Sequence, residues 1–205
     1  MTKTVRPDSS FARLWGLMEA SNPDLARLIE SEDEAMFVQV TEAALDRFLR
    51  TIENGAKEYT RLGERGLSRL LTDLLNSAGW QATAERDHNG HVDVVVEHLF
   101  RRKWKYLGEC KIHDGYEYHV KGCGQLIGYF TGREQRGFCL DFFKVPAMFA
   151  KLLSIRSRMD SESPLAQVGR CRDHIIKGAF ISSHTHPTHS LVEILHVGCS
   201  LKPGA

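Results

Sequence analysis

The chain has no apolar run near the roughly 20 residues that cross a bilayer. Its first ten residues, MTKTVRPDSS, also lack the apolar core of a secretion signal. Both absences point to the cytoplasm and away from a membrane partner. The five cysteines (110, 123, 139, 171 and 199) are odd in number and scattered, which is no framework for a stapled fold. No CxxC pair occurs, so neither a structural zinc nor an iron–sulfur cluster is expected. A phosphate-cradling glycine loop and a GxSxG elbow are missing too, as are repeats and low-complexity tracts. Charge of one sign does not dominate. Lys and Arg total 27 against 26 Asp and Glu, for a net charge of +1, so any attraction for nucleic acid must be local.

What remains suits one globular domain of 205 residues with a proper core. Residues 1–56 read as a helical extension. Ser21-Asn22-Pro23-Asp24 is a helix start, with a capping residue, a first-turn proline and an acid at the positive end of the dipole. Phe37, Val40, Ala44, Leu45, Phe48, Leu49 and Ile52 then recur at helical spacing. That stripe either packs on the body of the protein or offers a surface to a partner or a second copy. No Gly/Ser/Pro linker follows, and a soft boundary is placed near residue 56, leaving 57–205 as the main domain.

Tyr59–Gly79 reads as the next helix, buried through Leu67, Leu71, Leu74 and Leu75. At about 100° per residue, Glu64 falls on the buried side and Glu58 nearly opposite. An acid on an apolar face needs a partner. Gln81–Asp87 reads as a strand and Asp87–Gly90 as a turn. Tyr118–Phe130 reads as a helix, Phe138–Phe143 as a covered central strand, and 147–158 as a helix. After a polar loop over 160–174 come late strands at 178–182 and 191–197. The histidines between them, His184, His186 and His189, suit a solvated loop.

The most informative stretch is His91–Lys111, HVDVVVEHLFRRKWKYLGECK. Its apolar runs, Val92–Val96 and Tyr106–Cys110, flank a basic segment and read as a hairpin. A turn centred near Arg101 sets Asp93 opposite Glu109, and Lys111 shares the face of Glu109. Two carboxylates facing each other repel. A divalent cation with oxygen ligands would offset that repulsion. The alternative is a surface hairpin with a Glu109–Lys111 ion pair.

Asp93 followed by Glu109-Cys110-Lys111 resembles the D…ExK signature of the PD-(D/E)xK nuclease superfamily, with Val92 where a proline is often found. The resemblance covers roughly residues 58 to 143. It implies a restriction-endonuclease-like α/β fold, a mixed sheet flanked by helices, and a metal-dependent nuclease acting on nucleic acid, DNA before RNA. Mg²⁺ or Mn²⁺ would be held by Asp93, Glu109 and the Cys110 carbonyl. Lys111 would act on the attacking water, and Glu64 would complete the site from the preceding helix. Gln125 and Tyr129 resemble the QxxxY element of RecB-type members, which positions the site and the nucleic-acid strand. Small stand-alone members resemble components of bacterial restriction or anti-phage systems. The basic run Arg101, Arg102, Lys103 and Lys105, with Trp104 inside it, is expected either to contact phosphates and stack a base or to be a solvated turn.

Overall fold

The computed structural model describes residues 10–87, 91–188 and 190–202. The strands are β1 Gln81–Asp87, β2 His91–Glu97, β3 Lys105–Ile112, β4 Arg136–Phe143, β5 Arg172–Asp173, β6 Phe180–Thr185 and β7 Leu191–Ser200. They form one seven-stranded sheet in the order β1-β2-β3-β4-β7-β6-β5. β3, β4 and β7 run parallel, and every other neighbouring pair is antiparallel. The central strand β4, RGFCLDFF, is buried almost throughout. That is the pattern of a strand covered on both faces.

The helices are α1 Ser10–Ser21, α2 Pro23–Ile29, α3 Glu34–Asn54, α4 Ala56–Tyr59, α5 Glu64–Ser77, α6 Tyr116–Tyr129 and α7 Met148–Glu162. Asn22 caps α2 as the sequence predicts, accepting from the Leu25 N–H at 3.2 Å. Its amide also donates to the Ala78 carbonyl at 2.9 Å, tying α2 to the end of α5. The helix expected over 59–79 begins only at Glu64, because Gly63 takes extended backbone (φ −80°, ψ 177°) just before it, and Tyr59 instead ends the separate short helix α4.

α3 and α5 cover one face of the sheet. Phe37, Leu45, Leu49 and Ile52 share a core with Val94, Phe138, Leu140 and Leu195. The α3 stripe is therefore consumed by the fold and is not a partner or dimer surface. The boundary expected near residue 56 falls between α3 and α4, but it separates no two cores. A buried polar knot locks this layer. Glu42 of α3 accepts from the Tyr106 hydroxyl at 2.9 Å and from Arg136 at 3.3 Å, and His174 Nε2 lies 3.1 Å from it. What stays exposed at this end is α1, through Phe11, Leu14 and Leu17.

α6 and α7 cover the other face. α6 packs Cys123, Leu126 and Ile127 on Val95, Leu107, Cys139 and Ile194. α7 packs Leu152, Ile155 and Met159 on Phe143 and Phe180. A Cβ on Gly122 would meet the Lys111 side chain at 3.2 Å and Cys139 Sγ at 3.5 Å, so this glycine lets α6 sit close over β3 and β4.

The polar stretch 160–174 adds the short edge strand β5, which the sequence does not predict. The late histidines also depart from expectation. His184 lies buried on β6 and His186 is buried after it, rather than in a solvated loop. His189 and the turn at 88–90 lie outside the described residues. Among the described residues, no helix is long and apolar enough to cross a membrane.

Candidate active site

Strand register brings the two carboxylates together. Val94 pairs with Gly108 and Glu97 with Lys105, so the hairpin is centred on residue 101, as its sequence predicts. Carried one position further, that register would set Asp93 against Glu109, and the charge of Asp93 does act on Glu109. Asp93 Oδ2 accepts the Cys110 N–H at 2.9 Å. Lys111 Nζ donates to Glu109 Oε1 at 2.5 Å. Glu109 is 1% and Lys111 7% exposed, so this is a buried pair and not a surface one. The other oxygen, Glu109 Oε2, is buried with no hydrogen-bond partner.

That crowding shifts the acids. Burial, and then the charge of Asp93, push Glu109 up to about 7 despite Lys111. Asp93 is raised too, chiefly by burial. For Lys111, burial alone would lower the pKa. The hydrogen bond and charge of Glu109, with Asp93 and Glu64, outweigh it and raise the pKa overall. Lys111 is thus held as an ammonium.

Glu64, the first residue of α5, reaches the same place. Its Oε1 accepts from the Ile112 N–H and the Tyr118 hydroxyl, both at 2.9 Å. Its charge acts on Asp93, Glu109 and Lys111. Glu58 lies exposed on α4. From α6, the Tyr129 hydroxyl is raised by burial and by the charges of Glu109 and Asp93. Gln125 Oε1 is buried without a partner. The Cys110 thiol lies on the opposite face, buried in the core with Leu67 and Leu71 of α5. Only the Cys110 backbone is beside Asp93.

The basic run is not part of this group. Lys105 lies 3.6 Å from Glu97, at the tip end of the hairpin. Four residues separate it from Glu109, roughly 13 Å at about 3.3 Å per residue. Nor does the tip project. Arg101 donates to the Ser31 carbonyl and lies over the Trp104 ring at 4.4 Å. Trp104 packs edge-on against His98 and on the core, which takes it away from base stacking. Arg102 and Lys103 stay exposed.

Asp93 and Glu109 are hard oxygen donors of the kind that suit Mg²⁺ or Mn²⁺. The partnerless Glu109 Oε2 is an acceptor such an ion would satisfy. A cavity of about 390 Å³ lined by Glu53, Asn54, Met148 and Lys202, among others, lies elsewhere and holds no comparable set. No protein-family model, curated protein or solved structure matches this chain.

A second polar cluster, unforeseen in the sequence, lies beneath α6. His113 Nδ1 is 2.9 Å from Asp141 Oδ2, and His119 Nδ1 is 3.0 Å from Asp141 Oδ1. His119 Nε2 is 2.8 Å from His196 Nδ1. His196 Nε2 and His184 Nε2 each lie 2.6 Å from Ser182 Oγ, and His184 Nδ1 is 3.1 Å from the Leu165 carbonyl. A carbonyl only accepts, so His184 donates to Leu165 from Nδ1. Its Nε2 then accepts from Ser182, which accepts from His196 Nε2. His196 Nδ1 is left as a bare lone pair, and His119 donates from both nitrogens. Burial alone would lower His119, but Cys139 and Asp141 push it up to about 10. Burial, then His119 and His184, hold His196 well down. The only signal in the sequence is His119 and Cys123 four apart on a helix, which a search for CxxC passes over.

Proposed function

We propose that the protein is a metal-dependent nuclease that hydrolyses phosphodiester bonds, with DNA as its substrate. The observation that carries this reading is the buried Glu109, one oxygen partnerless, facing the half-buried Asp93 beside a buried lysine. Burying an acid next to another acid costs stability, and a fold that keeps them in that position gains from a cation between them. The order α5-β1-β2-β3, then α6 and the parallel β4, also fits the restriction-endonuclease-like core that the D…ExK residues resemble.

Asp93 and Glu109 would hold Mg²⁺ or Mn²⁺, with the Cys110 carbonyl as a further oxygen. When bound, such an ion lowers the pKa of its water and neutralises phosphate charge. The residues do the rest. Lys111, anchored on Glu109 Oε1, presents N–H donors to a water or a phosphate oxygen. Its raised pKa makes it a donor and charge-neutraliser rather than the base that takes a proton from water. Glu64 fixes the end of β3 through Ile112 and orients Tyr118. Gln125 and Tyr129 offer polar groups from α6 to a nucleic-acid strand. Arg102 and Lys103 are solvent-facing cations for phosphates at a distance from the cleavage point.

The test is a panel of linear, circular and single-stranded DNA and RNA, each with Mg²⁺, with Mn²⁺ and with a chelator. Divalent-dependent cleavage of DNA, absent from Asp93→Asn, supports the reading. A protein that binds DNA but cuts nothing with any divalent ion is a non-cleaving binder on this fold, and the proposal fails.

A further inference from the structure

We propose that His119, Cys123, Cys139 and His196 form a buried zinc site that pins α6 to the sheet. This site is distinct from the carboxylate cluster and does not depend on the nuclease reading. The placement follows from periodicity. His119 and Cys123, four apart, share one face of α6, and that face lies on the sheet. Cys139 of β4 and His196 of β7 are register partners, so both point up at the helix. One ligand atom from each of His119, Cys123 and Cys139 lies within 4.8 Å of the others. His196 Nδ1 stands beside that group, 2.8 Å from His119 Nε2 and 3.8 Å from Cys123 Sγ, while Cys139 Sγ lies 4.0 Å from the other ring nitrogen, His119 Nδ1. All four residues are buried.

Two thiols and two imidazoles select Zn²⁺ over the hard cations that suit Asp93 and Glu109. Each imidazole is also oriented as a ligand must be, with its other nitrogen engaged. Asp141 Oδ1 holds His119 Nδ1 at 3.0 Å, and Ser182 Oγ holds His196 Nε2 at 2.6 Å. His119 Nε2 and the His196 Nδ1 lone pair are therefore aimed at one point, now bridged by a proton. Zinc would replace that proton and the thiol protons of Cys123 and Cys139, releasing three protons to solvent. Two nitrogens about 2.1 Å from one tetrahedral ion sit roughly 3.4 Å apart. The rings, at 2.8 Å, would have to part by about half an ångström. α6 carries Gln125 and Tyr129, so the site would fix the helix that faces the carboxylates.

The experiment uses the full chain without a histidine tag, refolded under reducing conditions with zinc, with cobalt or with a chelator, then passed through gel filtration. Stoichiometric retained zinc is expected, as are tetrahedral cobalt bands with a thiolate charge-transfer band. Cys123→Ser and Cys139→Ser should lose both, and Cys171→Ser should keep them. Zinc absorption spectroscopy of the wild type, which needs no variant to fold, should show sulfur and nitrogen neighbours together. A wild type that retains no metal, or zinc surrounded by nitrogen and oxygen alone, would overturn the site.

Discussion

Asp93 on β2 accepts the backbone N–H of Cys110 on β3, 2.9 Å away. The residue between Glu109 and Lys111 is thereby clamped to the opposing strand. Because side chains alternate along β3, the clamp presents Glu109 and Lys111 together beside Asp93. The hydrogen bond thus sets the geometry on which the proposed chemistry depends.

Glu109 should make stability fall with pH. Its folded pKa, about 7, lies above its ordinary value of 4.5. The folded state therefore holds a proton that the unfolded state has released, and unfolding free energy declines as pH rises from about 4.5 to about 7. The loss should be on the order of 1–3 kcal/mol. Mg²⁺ should reverse it above that window, and Glu109→Gln should abolish both effects. Urea unfolding across pH, with and without Mg²⁺, measures this. A wild-type profile that is flat and insensitive to Mg²⁺ would refute it.

Glu64 and Glu58 should part company. Glu64→Ala leaves the Ile112 N–H without its acceptor and should cost about 1–3 kcal/mol, whereas exposed Glu58→Ala should stay within about 0.5 kcal/mol. Glu64→Gln should lower metal-dependent cleavage and Glu58→Gln should not. Equal stability and activity in the two series would remove Glu64 from the site.

The hairpin tip should divide into a structural and an electrostatic part. Arg101→Ala should lower stability by about 1–2 kcal/mol, through Ser31 and Trp104. Arg102→Ala and Lys103→Ala should leave stability unchanged but flatten the salt dependence of DNA binding, by about one in log–log slope for each phosphate no longer neutralised. An unchanged slope would make the tip a solvated turn.

On the far face, Glu42→Ala should cost about 1–3 kcal/mol. It strands the buried Tyr106 hydroxyl below α3, while Arg136 keeps its ion pair with Glu193. Denaturant midpoints would check this, and a loss under about 1 kcal/mol would show that the knot contributes little.

The hairpin was legible because a period of two and a centre at Arg101 are enough to oppose Asp93 and Glu109. Glu64 was legible as an acid on an apolar stripe. Only part of the basic run was legible, because local charge density does not reveal that Arg101 finds Ser31, a contact 70 residues distant in sequence. His184 misled for a related reason. Pro187 and its polar neighbours suggest a loop, yet β6 carries His184 inward to Ser182. The cluster of His119, Cys123, Cys139 and His196 depends on β4 and β7 lying side by side, a long-range pairing no local pattern contains.

The most direct measurement compares DNA cleavage and Mg²⁺ binding in the wild type, Lys111→Gln and Asp93→Asn. Glutamine keeps a donor for Glu109, whereas alanine would leave a buried acid unpaired at a cost of about 3–5 kcal/mol. The account predicts that Lys111→Gln binds Mg²⁺ and DNA but cuts slower by roughly 10²–10³, while Asp93→Asn neither binds Mg²⁺ nor cuts. Cleavage at the wild-type rate in either folded variant would contradict it.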